Sequence, residues 1–527
     1  MAKGVDTKHP EYQAQIARWR RCQDCVDGED VVKQRGAEYL PVLEGQKGEN
    51  SKSYKAYLKR ATFYPAMGRT VTGLSGLVMR RAPVLDKVPD AVMPHVRDLT
   101  LTGQSLSVVA TNALQAVLTK GRAALAIDWA GEDSAKGRPY WALYRAEAIV
   151  NWRTEIVAGQ PVTVLVVLEY QAPLEVPGDA FTHATETRWR VWQLEGRGEG
   201  ARCVVTTWRK PRANESSPTS EFIAVDQPMT PTHRGRPLWF IPVVPINASP
   251  DLGWATEKPP LLDLADMVLS HYRSSADLEH GAHFTALPVP YVTGWAGDDE
   301  KLQMGSGAAW LITNPDAKVG MLEYMGQGLK ALESRCDDKE KKMAVLGARM
   351  LEAQPSVQET AEAVKLRHTA EHASLVGIVD SVQLAIETVL RWHVWWVTGQ
   401  DDPDASVSLN RDFMSLRISP QELTALVQLC QAGKISSETL YYNLQAGEIA
   451  RPGVSWEEEQ EAIDAEEPEP EPDPPADPDN PDDPGADPDN PAPAGARPPQ
   501  PGERPAGRPT GRPGGPSARR PPQAAGR

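Results

Sequence analysis

One stretch of the sequence, residues 357–396, constrains the fold more than any other. Apolar or aromatic side chains and three histidines recur in it at spacings of three and four, the period of one face of an α-helix. The stripe consists of Val357, Ala361, Val364, His368, His372, Leu375, Val379, Val382, Ile386, Val389, His393 and Trp396. One helix of about forty residues would be roughly 60 Å long, far above the mean for a globular domain. The pattern predicts a helix that spans a large body or lies along a neighbouring subunit.

Helices and sheet-type runs precede this stretch. A helix is predicted from Pro10 to about Val26, a second over about 54–80 with a kink at Pro65, and helical pieces over about 90–118. Five β-type runs follow, each bounded by turns that contain Gly or Pro. They are residues 121–129, 161–170, 187–194, 201–208 and 237–246. The sequence therefore predicts an α+β fold with a sheet-containing core.

Two helices flank a short β-type region just before the long helix. After Pro259 and Pro260 the pattern predicts a helix of about 25 residues, and then β-type residues over about 287–325. A helix from about Gly328 to Leu346 comes next, and Gly347 and Pro355 end its periodicity.

The C-terminal part of the body is predicted to be a helical hairpin. The strand-like run VSLNRDF (407–413) leads to two shorter helices over 419–445. Ser419 as N-cap, Pro420 at the first helical position and Glu422 three residues after the cap form a capping-box pattern.

The formal net charge of −15 is distributed unevenly. Residues 457–527 carry 17 acidic and 7 basic side chains and 20 of the 47 prolines, which leaves 54 acidic and 49 basic residues in the body. The tail is acidic up to Ala496, without a basic residue, and then carries seven Arg against one Glu. Such a composition predicts a disordered tail, because it offers little apolar surface to bury. A solvated spacer and a basic tip that contacts nucleic acid both remain interpretations of it.

Several protein classes do not fit the composition. The longest apolar runs, such as residues 162–168, are far shorter than the roughly 18 residues of a membrane span. The start MAKGVDTKHP has no apolar stretch of a signal peptide, and five scattered cysteines form no disulfide framework. We expect a soluble, unsecreted protein in a reducing compartment, without a membrane partner.

One short motif invites a catalytic interpretation. His368-Thr-Ala-Glu371-His372 matches the His-x-x-Glu-His pattern of a class of zinc peptidases, in which two histidines bind Zn²⁺ and the Glu acts as general base. Both histidines also lie on the packing stripe, and Glu387, the candidate third ligand, lies further along the same helix. A zinc-dependent hydrolase therefore remains an alternative, while the preferred prediction is a protein without enzymatic activity, metal or other cofactor.

Other motifs give weaker evidence for a functional site. Cys22 and Cys25 have the spacing of half a zinc site or of a redox pair, but no second pair follows them. The sequence has no Walker-type phosphate loop and no Gly-x-Ser-x-Gly elbow. The hairpin at 419–445 has helix-turn-helix proportions, yet Ser436–Gln445 contains no Lys or Arg to contact phosphates. We expect a simple packed hairpin there.

The order of these parts resembles a portal protein of tailed bacteriophages. The segments that carry the resemblance are HPEYQAQIARWRRCQDCVDG, AEYLPVLEGQ, YKAYLKRATFYPAMGRTVTGLSGLVMRR, IPVVPIN, ETAEAVKLRHTAEHASL, VSLNRDF and ISPQELTALVQLCQAGKISSETLYYNLQAGEI. The likeness covers about residues 9–456, and the tail departs from it.

The resemblance implies a ring of subunits, usually twelve, at one capsid vertex, through which the genome enters and leaves. It also implies an assignment of segments to the parts of such a subunit. Residues 1–258 would be the N-terminal wing, 259–284 and 327–346 the stem helices, 285–326 the clip, 347–358 the DNA-facing tunnel loop, 359–412 the long helix and wing completion, and 413–456 the crown.

The implied partners follow from this role. They are further copies of the chain, the terminase large subunit, the head-tail adaptor, capsid and scaffold proteins, and double-stranded DNA that passes without sequence preference. The implied location is the virion, after assembly in the host cytoplasm. A monomeric scaffold or adaptor protein, whose long helix docks one partner, is the remaining alternative.

A channel through which DNA slides should not bind phosphates tightly, since each neutralised phosphate adds affinity through counterion release. The nearly neutral body agrees with this requirement. The loop 347–358 contains one basic residue, Arg349, and we expect it to face the duplex together with Gln354 and Gln358. An ion pair of Arg349 between subunits is the alternative.

Overall fold

The computed structural model describes residues 4–130, 137–176, 179–212, 221–286, 289–294, 315–322, 327–348, 361–411, 413, 420–447, 449–451 and 454–465. The helices in these ranges are α1 Pro10–Asp27, α2 Glu29–Gln34, α3 Lys52–Arg60, α4 Ala66–Val78, α5 Met93–Val96, α6 Leu106–Lys120, α7 Leu262–Ala286, α8 Gln327–Met343, α9 Ala361–Thr398, α10 Pro420–Gln431, α11 Ser437–Ala446 and α12 Trp456–Ala465.

The strands are short except for two in the middle of the chain. They are β1 Val84–Asp86, β2 Arg122–Ala130, β3 Arg138–Arg145, β4 Ile149–Val157, β5 Gln160–Val176, β6 Asp179–Glu195, β7 Arg202–Arg209, β8 Ile223–Ala224, β9 Thr232–His233, β10 Arg236–Pro237, β11 Val243–Asn247, β12 Val289–Thr293, β13 Lys318–Leu322 and β14 Ser406–Ser408.

Within the described residues the strands pair antiparallel in five sheets. The largest has the order β4-β5-β6-β7-β8, and a three-stranded sheet has the order β11-β2-β3. Two-stranded sheets join β1 with β14, β9 with β10, and β12 with β13. Helices and sheets are thus mixed along the chain, and the predicted α+β class is confirmed.

Strand β2 lies at the centre of the hydrophobic core. Five consecutive residues, Ala123 to Ile127, are buried, which requires that both faces of the strand be covered. Helices α6 and α9 pack against the sheet of β2. The large sheet contributes contacts as well, because the Arg122 guanidinium lies 3.8 Å from the Trp152 ring centroid and Arg190 pairs with Asp128.

A glycine makes the turn from α6 into β2 possible. Gly121 has φ of 73°, in the left-handed region, and its N–H donates to the Val117 carbonyl at 2.7 Å. A side chain there would be strained by that φ, and Gly allows the helix to end and the buried strand to begin within one residue.

The predicted kinked helix over 54–80 is wrong. The structure has two helices, α3 and α4, separated by extended residues 61–65. Pro65 has no N–H to donate and disfavours helical backbone at Tyr64, so the chain breaks there instead of bending.

The sheet predictions also need correction. Strands β3 and β4 had not been predicted, and the single run at 237–246 divides into β10 and β11. The chain bends at Trp239 and Phe240 between the two strands, and the Pro242 carbonyl, directly before β11, accepts from the Ile127 N–H at 3.1 Å.

The prediction of disorder from Glu457 onward is wrong for its first nine residues, which belong to α12. Ser455 and Glu458 cap this helix reciprocally: the Glu458 N–H donates to Ser455 Oγ at 3.2 Å, and the Ser455 N–H donates to Glu458 Oε2 at 3.0 Å. Trp456 packs on Tyr441 with ring centroids 5.5 Å apart. Residues 466–527, the remainder of the predicted tail, lie outside the described residues.

Candidate functional site

Helix α7 is largely buried over its first part and only partly buried over its second. All of its fully buried residues lie between Leu262 and Ala276, among them Val268 and Tyr272. From Asp277 to Ala286 no side chain is fully buried. The helix therefore begins in the core and ends outside it.

Helix α8 returns along α7 in the opposite direction. Near the core, Lys339 Nζ donates to the Ser270 carbonyl at 2.8 Å and to Ser274 Oγ at 2.6 Å. Further out, a β-carbon added at Gly281 would lie 2.7 Å from Leu329 Cδ2. Because Gly281 has no side chain, the two helices approach closely at this level.

The face of α8 turned away from α7 is charged but nearly balanced. Its exposed charged residues are Lys330, Glu333, Arg335, Asp337, Asp338, Lys341 and Lys342. Basic and acidic side chains alternate along this face, so a polyanion that passes it meets both attraction and repulsion.

Side chains of α3 tie α7 to the body at the point where burial ends. Tyr57 Oη donates to Asp277 Oδ1 at 2.6 Å, and Arg60 Nη2 lies 2.9 Å from His283 Nε2. Burial and the Asp277 carboxylate both raise the pKa of Tyr57, which keeps its hydroxyl a donor. The exposed part of α7 is thereby fixed in direction relative to the core.

The C-terminal end of α8 packs closely against α4 in the core. The helix continues as a π-helical turn, Ala344–Ala348, in which Gly347 has φ of 155°. A β-carbon on Gly347 would lie 2.9 Å from Thr70 Cγ2 of α4, and Met343 just before the turn is fully buried. This end of α8 is locked by backbone conformation and contact together.

A two-stranded ribbon, β12–β13, connects the exposed ends of the helices. Tyr291 pairs with Gly320 in its register. Tyr291 is 48% exposed, Val319 57% and Met321 58%, and Phe284 at the end of α7 is exposed as well. Val319 and Met321 share one face of the ribbon and Tyr291 lies on the other, so both faces present exposed apolar side chains. Such exposure is typical of a surface that another protein covers.

Several predicted site residues lie outside the described residues. These are the loop residues Arg349, Gln354 and Gln358 and most of the central segment of the predicted clip. The backbone of α9 is described from Ala361, but the side chains of Val364, His368, Glu371 and His372 are not among the described ones. Further along the stripe, Leu375, Val379, Val382, Ile386 and Val389 are all buried.

His393 forms a network that the sequence did not reveal. It is fully buried; its Nδ1 accepts from Trp141 Nε1 at 3.1 Å, and its Nε2 lies 2.9 Å from His95 Nδ1. Burial, with His95 and Arg138 nearby, lowers the pKa of His393 to about 3. This histidine of the stripe is therefore a neutral core group that joins α9 to the sheet of β2.

The other candidate groups have structural partners. Glu387, considered as a zinc ligand, accepts from Arg391 Nη2 at 2.6 Å. Cys22 and Cys25 are both buried, and burial raises the pKa of Cys22 to about 12. A thiol with such a pKa is not a reactive nucleophile.

The residues that the structure describes contain no group of three or more His, Cys, Asp and Glu side chains suited to a metal ion. This finding does not reach His368, Glu371 and His372, so the zinc motif stays a prediction. Within the described ranges, no helix combines the length and apolar character needed to cross a membrane.

Residues 260–397 match a family described as a domain of unknown function, DUF4055. The match begins just before α7 and ends in the last turn of α9, so it contains the helix pair, the ribbon and the long helix. It covers about a quarter of the chain. A comparison with curated proteins gives no significant match.

Three solved structures resemble the chain at low scores. The virion of a native gene transfer agent particle has a TM-score of 0.37 and 10% identity, covering 78% of this chain and 98% of that chain. The neck of the native particle, computed with C12 symmetry, has 0.36 and 12%, covering 73% and 92%. The neck of the empty particle, computed with C6 symmetry, has 0.35 and 12%, covering 76% and 95%. A likeness of this degree does not establish a common function.

Proposed function

We propose that this chain is the subunit of a portal, a structural ring without catalytic activity through which a phage-like particle takes up and releases DNA. One observation carries the proposal. The α7–α8 hairpin has a buried base, formed by the start of α7 and the end of α8, and an exposed shaft, formed by the outer parts of both helices, on which basic and acidic side chains are nearly balanced. It ends in the apolar ribbon β12–β13. A single copy leaves the shaft and ribbon in water. Copies side by side in a ring would cover them.

The charges of α8 suit a passage for DNA. Tight binding of DNA requires a run of basic side chains that neutralise phosphates. The exposed face of α8 instead mixes Lys and Arg with Asp and Glu. If this face lines a channel, a duplex passes it without being held.

The finer roles belong to the same proposal. Residues 347–358, with Arg349, Gln354 and Gln358, would form the loop nearest the DNA, and the ribbon would lie in the clip that meets the terminase large subunit and then the head-tail adaptor. The ring would have twelve subunits, be surrounded by capsid and scaffold proteins, and remain in the virion at one capsid vertex.

Negative-stain electron microscopy of the purified full-length protein tests the ring. We expect ring-shaped particles with a central hole. A protein that remains monomeric at all concentrations would contradict the proposal and favour a scaffold or adaptor. Zinc analysis of the same sample addresses the hydrolase alternative, which one chelator-removable zinc per chain would support.

Arg349→Ala tests the DNA-facing loop within the ring. We expect rings of unchanged appearance but altered DNA movement in a packaging assay, because a ring of Arg349 side chains would be the closest positive charge to the duplex. Unaltered packaging by intact rings would remove this role from Arg349, and loss of the rings would point to an ion pair between subunits.

A further inference from the structure

A large open groove lies beside the five-stranded sheet, away from the α7–α8 hairpin. Its volume is about 1330 Å³, and residues of β4, β5, β6, β7 and the segment 236–240 line it. Trp239 and Phe240 form one wall, with ring centroids 5.1 Å apart. Trp239 is 66% exposed, an unusual position for the largest apolar side chain.

The charges of the groove are predominantly positive. Four arginines line it, Arg153, Arg197, Arg202 and Arg236, against two carboxylates. Glu155 pairs with Arg153 at 3.6 Å and with Arg197 at 2.6 Å, and Glu195 pairs with Arg202 at 2.9 Å.

Arg236 differs from the other three arginines. It is exposed, and no carboxylate among the described residues forms an ion pair with it. Arg236 precedes Trp239 by three residues, and both line the groove. The groove thus combines an exposed indole with an uncompensated guanidinium.

We propose that this groove binds the acidic, Pro-rich segment of the chain itself, residues 466–496. The segment has eleven acidic side chains, eleven prolines and no basic residue. Over 467–474 carboxylates and prolines alternate strictly. Prolines pack well on exposed aromatic side chains and lose little conformational entropy on binding, while the carboxylates complement the arginines.

The position of the segment in the chain allows this contact. The segment starts directly after α12, which ends at Ala465. Its 31 residues could extend to about 100 Å, a length that permits contacts far from α12. Attachment to the same chain also raises its effective concentration near the groove.

A nucleic acid fits the groove less well. Phosphates would gain from Arg236, but Glu155 and Glu195 repel phosphates and carboxylates alike, and a nucleic acid with a phosphate on every nucleotide cannot avoid them. A peptide whose carboxylates are spaced by prolines can place its charges at the arginines and its apolar rings elsewhere.

Photocrosslinking in the full-length protein tests the proposal. Trp239 is replaced by p-benzoylphenylalanine, which keeps an aromatic group in the wall, and crosslinked sites are mapped by mass spectrometry after chymotryptic digestion, which does not require acidic residues. We expect the crosslinks to fall in residues 466–496. Arg236→Glu in this background should reduce their yield by about fivefold or more, because it reverses the uncompensated charge.

Two further variants complete the test. Arg97→Glu makes the same charge change at an exposed position outside the groove and should leave the yield unchanged. Replacing the acidic residues of 466–496 by Asn and Gln leaves the groove intact and should reduce the yield as Arg236→Glu does. Crosslinks to the body of another copy, to added DNA or to no site, or a yield that neither variant changes, would overturn the proposal.

Discussion

The C-terminal half of α9 and the α7–α8 hairpin are both long helical segments, but they differ in what covers them. Around α9 the side chains pack from several elements, with His393 and Val394 fully buried and Trp396 stacked near Trp129 at 6.1 Å. Among the described residues, the outer part of the hairpin is covered mainly by its own two helices and ribbon, with Arg60 of α3 beside His283. Its apolar side chains at Phe284 and Met321 remain exposed.

The two regions therefore differ in whether their packing is completed within one chain or requires another molecule. The core around α9 is complete within one chain, so its stability should depend on that chain's own contacts. The hairpin is complete only at its base, where Tyr57 and Gly347 fix it, and its end offers surface to another molecule. Substitutions in the two regions should therefore change different measured quantities.

The largest effect is expected for Trp141→Ala, which removes a buried indole next to α9. Trp141 is 1% exposed and donates to His393 Nδ1. The cavity and the unsatisfied acceptor should lower the free energy of unfolding by about 3 to 5 kcal/mol. Denaturant unfolding measures the change, with exposed Trp239→Ala as the matched control. A loss below about 1 kcal/mol would show that the core around α9 is not tightly packed.

Gly347→Ala should have the next largest effect, at the base of the hairpin. The substitution places a β-carbon 2.9 Å from Thr70 Cγ2 and puts a side chain at a φ that favours glycine. We expect a loss of about 1 to 3 kcal/mol in thermal or denaturant unfolding. Gly328→Ala, where a β-carbon meets nothing within 4 Å, is the control and should not destabilise the chain. Equal stability of the two variants would contradict the close packing of Gly347 against Thr70.

Acidification should destabilise the α9 region through His393. Its folded pKa of about 3 lies below the ordinary value of 6.5, so the unfolded chain takes up a proton that the folded chain does not. The stability is therefore complete above about pH 6.5 and falls as the pH decreases towards about 3. Between pH 7 and pH 5 this single group should lower the unfolding free energy by roughly 2 kcal/mol.

The control for this pH dependence is His393→Gln, which keeps an acceptor for Trp141 but cannot titrate. Its unfolding free energy should change less between pH 7 and pH 5 than that of the original chain, by the amount assigned to His393. Identical pH dependence in both proteins would assign the loss of stability to other groups.

The sequence predicted those parts of the fold that depend on local periodicity. The stripe from Leu375 to Val389 follows from spacing alone, as does the helix after Pro260. The break at Pro65 was predicted as a kink because a sequence pattern cannot show whether a helix resumes in the same direction. The strands β3 and β4 were missed because their burial depends on the partners that cover each face.

The candidate site was predictable in outline only. The order helix, β-type region, helix follows from the sequence, but the locking contacts at its base do not. Thr70 and Gly347 are far apart in the chain, as are Tyr57 and Asp277, and a single sequence gives no signal for such pairs. The network of His95, Trp141 and His393 also joins residues that are distant in the sequence. The only sequence signal for it was a histidine on an otherwise apolar stripe.

The smallest effect on stability is expected at the end of the hairpin, from Met321→Ser. Met321 is 58% exposed in one chain, so its removal should change the unfolding free energy by less than about 0.5 kcal/mol. The yield of rings seen by electron microscopy should nevertheless fall if copies cover the ribbon, because each interface would lose an apolar contact. Lys318→Ser, at another exposed position of β13, is the control and should retain the rings. A stability loss above about 1 kcal/mol would instead mean that Met321 packs within its own chain, and the contrast between the two regions would not hold there.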